Sequence, residues 1–92
     1  VINDPYVGIQ ITKLYAYIHR FEFEFEQLFL DPRLKLTEKQ KSDYQTRIVN
    51  ISERYIQTYN EIKSTSKFQS LKEERKVELS HYFIMFYNAT KD

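Results

Sequence analysis

Seven apolar residues, Val7, Ile11, Leu14, Ile18, Phe21, Phe25 and Leu28, recur at alternating spacings of four and three. That rhythm follows the turn of an α-helix, so all seven fall in one narrow arc and form a seam along a helix packed over its whole length. A small chain carrying such a seam must supply other apolar faces to cover it. Asp4-Pro5 marks the start, because Asp can accept hydrogen bonds from unpaired backbone donors and Pro loses no intrahelical bond at the first position. Asp31-Pro32 marks the end, because Pro disfavours the α conformation at the residue before it. Helix 1 is therefore expected at about residues 5–30.

One segment within it has a competing pattern. Phe21-Glu22-Phe23-Glu24-Phe25-Glu26 alternates strictly, as a half-buried strand would. Helix is favoured because Phe21 and Phe25 continue the seam, and no flanking turn chemistry offers a hairpin partner for the backbone groups of a strand. On such a helix Phe23 lies almost opposite the seam, and its neighbours Glu22 and Glu24 are ill suited to burial.

Thr37-Glu38-Lys39-Gln40 has the form of a capping box and opens helix 2, expected at about residues 38–63. Its seam is Tyr44, Ile48, Ile51, Tyr55, Thr58 and Ile62, and the polar run Lys63-Ser64-Thr65-Ser66 ends it. Ser70-Leu71-Lys72-Glu73 has the same form and is expected to open helix 3, at about residues 71–89, with Leu79, Phe83, Phe86 and part of Tyr82 inward and Phe68 covering the end of the core. Ninety-two residues support a single core. Short links between consecutive helices then give an all-α, three-helix, up-down-up antiparallel bundle in one domain. The first residue is Val1 rather than Met, so the chain reads as a piece of a longer protein.

Composition narrows the function classes. Eight Tyr and seven Phe with no Trp mean that bulky rings do the packing, and many of the tyrosines should sit half buried with a partner for the hydroxyl. A net charge of +1 offers no whole-molecule attraction to nucleic acid, anionic membrane or acidic substrate. No apolar run approaches the roughly twenty residues that span a bilayer, and residues 1–4 lack the order of a signal peptide, so no membrane partner is expected. The absence of Cys excludes disulfides, thiolate nucleophiles and cysteine zinc sites, and fits an intracellular compartment, cytoplasm or nucleus.

Little in the sequence carries chemistry. Glu78 and His81 stand one helical turn apart, as in di-iron bundles, but such a centre needs a second copy and two more carboxylates from four helices. His19 lies near Glu22 and Glu26 at spacings suited to a surface ion pair. Gly8 is the only glycine, which excludes a glycine-rich phosphate loop. The sequons Asn50-Ile51-Ser52 and Asn88-Ala89-Thr90 fall on helices and read as chance. Arg75 and His81 have a spacing similar to that used by a family of small helical ribonucleases, and this resemblance, confined to two residues, implies a dimeric nuclease centred on them. A helix places the two about 120° apart. No catalytic residues, no cofactor and no metal are expected, and the chain does not read as an enzyme.

Two surface features remain. Arg33, Lys35, Lys39, Lys41 and Arg47 gather around the first link, and Lys63, Lys67, Lys72, Arg75 and Lys76 around the second. An antiparallel bundle puts these links at opposite ends, and Glu38, Asp43, Glu73 and Glu74 dilute both. In addition, each helix carries apolar residues away from its seam: Ile9, Ala16 and Phe23 on helix 1, Val49 and Ile56 on helix 2, Val77 and Ile84 on helix 3. Residues 82–87 are apolar all round, more than three helices alone can cover. The leading expectation is thus a helical protein–protein interaction domain, self-associating or docking a partner helix through Ile9, Phe23, Val49, Ile56, Val77 and Ile84. Nucleic-acid binding through a basic link is the alternative, and a dimeric ribonuclease comes third.

Overall fold

A computed structural model of the chain describes residues 4–29 and 37–91, with side chains over 4–26 and 37–91. The protein is all-α: α1 is Asp4–Phe29, α2 is Glu38–Ile62, α3 is Ser66–Gln69 and α4 is Glu73–Thr90. Among the described residues there is no strand, and α1 runs unbroken through the Phe/Glu alternation. Its seam residues Val7, Ile11, Leu14 and Ile18 are buried. The Thr37 capping box forms in full: Thr37 Oγ1 accepts from the Gln40 N–H at 3.1 Å, and Gln40 Oε1 accepts from the Thr37 N–H at 3.0 Å.

Side-chain contacts fix the topology. Tyr6, near the start of α1, hydrogen-bonds Glu61, near the end of α2, whereas Arg47 early in α2 pairs with Glu24 late in α1. These two helices are antiparallel. Tyr59 meets Phe83, and Tyr55 meets Phe86, each with ring centroids 4.7 Å apart, so α2 and α4 also run in opposite directions. Helices α1 and α4 touch through longer side chains: Phe21 and Phe86 edge to face at 4.9 Å, and the Tyr82 hydroxyl donating to Glu22 at 3.0 Å. The product is an up-down-up bundle of 47 × 22 × 21 Å with α2 packed on both neighbours.

Tyr55 sits at the centre of the core with no exposed surface. Its ring packs beside Phe86, and its hydroxyl donates to the Leu79 carbonyl at 2.7 Å. The buried polar tip is thereby satisfied. Burial, with a smaller contribution from nearby Tyr59, pushes the Tyr55 phenol far above its ordinary value of 10.0.

Three expectations are corrected. The second capping box does not form. Instead Thr65 caps α3, its hydroxyl accepting from the Phe68 N–H at 3.3 Å and donating to the Ile62 carbonyl at 2.7 Å. Ser70 closes α3 rather than opening the next helix, its Oγ donating to the Lys67 carbonyl at 2.8 Å. Helix α4 begins two residues later than expected, behind Lys72, with no side-chain cap. Phe68 is carried on the α3 turn and buried there, and that burial favours the Thr65-capped turn over a helix opened at Ser70.

The second correction concerns the far end of the seams. Phe25 is 44% exposed, and Tyr44, Ile48 and Ile51 are half buried rather than core. The 18 residues of α4 reach about 27 Å, against about 39 Å for the 26 of α1. The last described turns of α1 and the first of α2 therefore extend past the third helix. Leu28 falls outside the described side chains, and Asp31-Pro32, Arg33 and Lys35 outside the described residues. The third correction is Glu24, which is buried: Arg20 and Arg47 lie over its carboxylate at 3.6 and 3.8 Å.

Two outcomes follow from this packing. Thr65→Ala should cost about 1 kcal/mol in urea unfolding, as loss of a cap does, while Ser70→Ala should stay within about 0.5 kcal/mol. Equal losses would restore the Ser70 cap. Tyr55→Phe should cost about 1 kcal/mol at neutral pH by removing a buried hydrogen bond. Above pH 10.0 the unfolded chain releases the Tyr55 proton that the fold retains, so stability falls as pH rises further. Tyr55→Phe should make that alkaline decline shallower, which denaturation at a series of pH values would show.

Candidate interaction surface

Helix α4 has apolar side chains around most of its circumference but only two neighbouring helices to take them up. Leu79 and Phe86 enter the core, and Phe83 and Tyr82 lie half buried beside it. Val77 and Ile84, on another face, are 63% and 56% exposed. They form one wall of an open groove of about 460 Å³, which Tyr59, Phe68, Ser80 and His81 also line.

The groove owes its shape to α3. That single turn sets Phe68 edge to face against Tyr59, with centroids 5.5 Å apart. Tyr59 in turn packs on Phe83, which stacks on Tyr87 at 6.3 Å. At the rim, Lys76 is drawn to Glu73 at 2.8 Å and donates to the Gln69 carbonyl at 3.1 Å, tying the start of α4 to the end of α3. The result is an apolar recess with a fixed aromatic side and a polar edge.

The remaining expected contact residues are distributed elsewhere. Ile9 and Phe23, each 57% exposed, lie on the side of α1 away from its seam and do not line the groove. Val49 is half buried in a shallow depression with Thr46 and Asn50. Ile56 is half buried against the core and is already used by the folded chain. Tyr59 and Phe68 were not singled out as contact residues. Tyr59 does follow Ile56 by three, on the same side of α2, but Phe68 gains its place only from the α3 turn.

The charged groups are likewise dispersed. Lys39, Lys41 and Arg47 lie toward one end of the bundle, and Lys63, Lys67, Lys72, Arg75 and Lys76 toward the other. Carboxylates stand beside several of them, as for Lys41 and Glu38 at 3.6 Å. Arg75 lines a cleft with Tyr15 and Glu78, whereas His81 lines the groove, so neither pairing of His81, with Arg75 or with Glu78, shares a recess. Glu22 accepts from Tyr82 rather than pairing with His19, and that hydrogen bond, with some burial, raises the Tyr82 phenol. Glu61 raises Tyr6 in the same way. Among the described residues no group of three or more His, Cys, Asp or Glu could hold a metal ion, and no helix is long and apolar enough to cross a membrane.

Comparison with family models, curated proteins and solved structures returned no match to this chain.

Exposure makes a distinction that denaturation can read. Phe23→Ser and Val77→Ser should change stability by no more than about 0.5 kcal/mol, while Ile56→Ser should cost at least about 1 kcal/mol because it strips packing from the core. Unfolding by Phe23→Ser would show that its ring is structural.

Proposed function

We propose that the chain is a protein–protein interaction domain that docks an amphipathic helix along the groove between α4 and the α2–α3 corner. The observation that carries this reading is the pairing of Val77 and Ile84, both more than half exposed, with a preformed aromatic recess. Apolar anchors beside a recess are what a helix-in-groove complex requires. Val77 and Ile84 are seven residues apart, about 10 Å along α4, the length of two turns of a partner helix. The helix comes from a second copy of the chain or from another protein, which the test below separates, and the intracellular setting suggested by the cysteine-free composition belongs to the same proposal. Nucleic-acid binding ranks below it, because the two basic groups stand at opposite ends of a 47 Å bundle and are partly met by local carboxylates.

The test uses the Val77→Ser/Ile84→Ser double variant, which should fold like the parent. Light scattering over a wide concentration range should show self-association that this variant loses by about 1 to 3 kcal/mol per anchor. If the parent is monomeric throughout, a panel of amphipathic helical peptides should bind it and not the variant. Equal behaviour of parent and variant in both assays would end the groove reading.

A further inference from the structure

A second recess lies on the opposite flank of α2. The cleft between α1 and α2, about 260 Å³ in volume, is lined by Tyr17, Arg20, Glu24, Arg47, Ile51 and Arg54. Arg47 and Arg54 stand seven residues apart, two turns along one face of α2, and Arg20 approaches from α1. Three arginines thus line one opening, with the Arg47 guanidinium also lying over the Tyr44 ring at 5.3 Å.

Among the described residues their only carboxylate in the cleft is Glu24, whose side chain is 3% exposed. It does not consume the arginines' donors. Arg20 reaches Glu24 Oε1 through Nε at 3.6 Å and Arg47 reaches Oε2 through Nη1 at 3.8 Å. Both separations exceed the roughly 2.7–2.9 Å of a charge-assisted hydrogen bond, so the remaining guanidinium N–H groups are available to another acceptor. Among the described residues Arg54 has no carboxylate within ion-pair distance. Glu24 Oε2 itself is buried without a protein hydrogen-bond donor, which a buried carboxylate oxygen ordinarily has.

These features specify a ligand. Three arginines against one carboxylate leave two positive charges, which a phosphate monoester balances, since it carries close to two negative charges above its second pKa of about 6. A carboxylate would balance one of them and a zwitterionic amino acid neither. The orphaned Glu24 oxygen asks in addition for a donor on the same molecule. We propose that this cleft binds a small hydroxylated phosphate monoester, its phosphate held by Arg20, Arg47 and Arg54 and a hydroxyl donating to Glu24. The site is independent of the apolar groove on the other side of α2.

Calorimetric titration of the intact chain with glycerol 3-phosphate, at about pH 8 and constant ionic strength, tests this directly. Saturable binding is expected, weakened at least about tenfold in Arg54→Gln, whose side chain makes no ion pair among the described residues, and unchanged in Lys39→Gln at the end of the bundle. Circular dichroism should show both variants folded. Methyl phosphate, which lacks the hydroxyl, should bind more weakly than glycerol 3-phosphate. No saturable binding, or equal losses in the two variants, would overturn the site. Equal affinity for the two esters would overturn the contact to Glu24.

Discussion

The hydrogen bond from Tyr55 to the Leu79 carbonyl holds the third helix in register. Tyr55 projects from the middle of α2 into the space all helices share, and its ring and hydroxyl do separate things there. The ring gives Phe86 an aromatic partner, and Phe86 gives one to Phe21 on α1. The hydroxyl ties that stack to one carbonyl of α4, that of Leu79. A purely apolar side chain would permit neighbouring registers of similar packing energy. Directional bonding inside an otherwise greasy core is what singles out one of them.

From that register the groove follows. With the Tyr55 ring against Phe86 and the two helices antiparallel, Phe83 lies against Tyr59, and Val77 and Ile84 are turned away from the core. Phe68 then fills the corner that the start of α4 leaves open. The exposed residues are therefore not leftovers scattered by chance. They are the face of α4 that remains after a bundle of three unequal helices has taken what it can cover.

How much of this was legible in the sequence depends on the range of the interaction concerned. The Thr37 box and the Val7–Ile18 seam are written in residues three or four apart, and both formed. The Ser70 box had equally good local chemistry and lost to Thr65, because the deciding term was the burial of Phe68 in a core assembled by other helices. The burial of Glu24 was hidden for a similar reason: Arg47, one of the two cations over it, comes from a different helix. The exposure of Phe25 and the partial exposure of Ile48 follow from where α4 ends relative to its neighbours, which no periodicity in α1 or α2 encodes. The arginine cleft was invisible for the same cause, since Arg20, Arg47 and Arg54 become a group only when α1 and α2 are laid antiparallel.

The bare start of α4 gives the groove an uneven mechanical character. Lys72 supplies no side-chain acceptor for the unpaired N–H groups of the first turn, and the tether from the Lys76 ammonium to the Gln69 carbonyl pins the helix start without satisfying any of them. Ile84, in contrast, is flanked along the helix by Phe83 and, two residues on, by the buried Phe86. In amide-exchange terms protection should rise along α4, from the uncapped start near Glu73 toward Ile84. A helix docked there as proposed would meet a hard end that selects for shape and a soft end that yields to size, and would be free to vary more in one half than in the other.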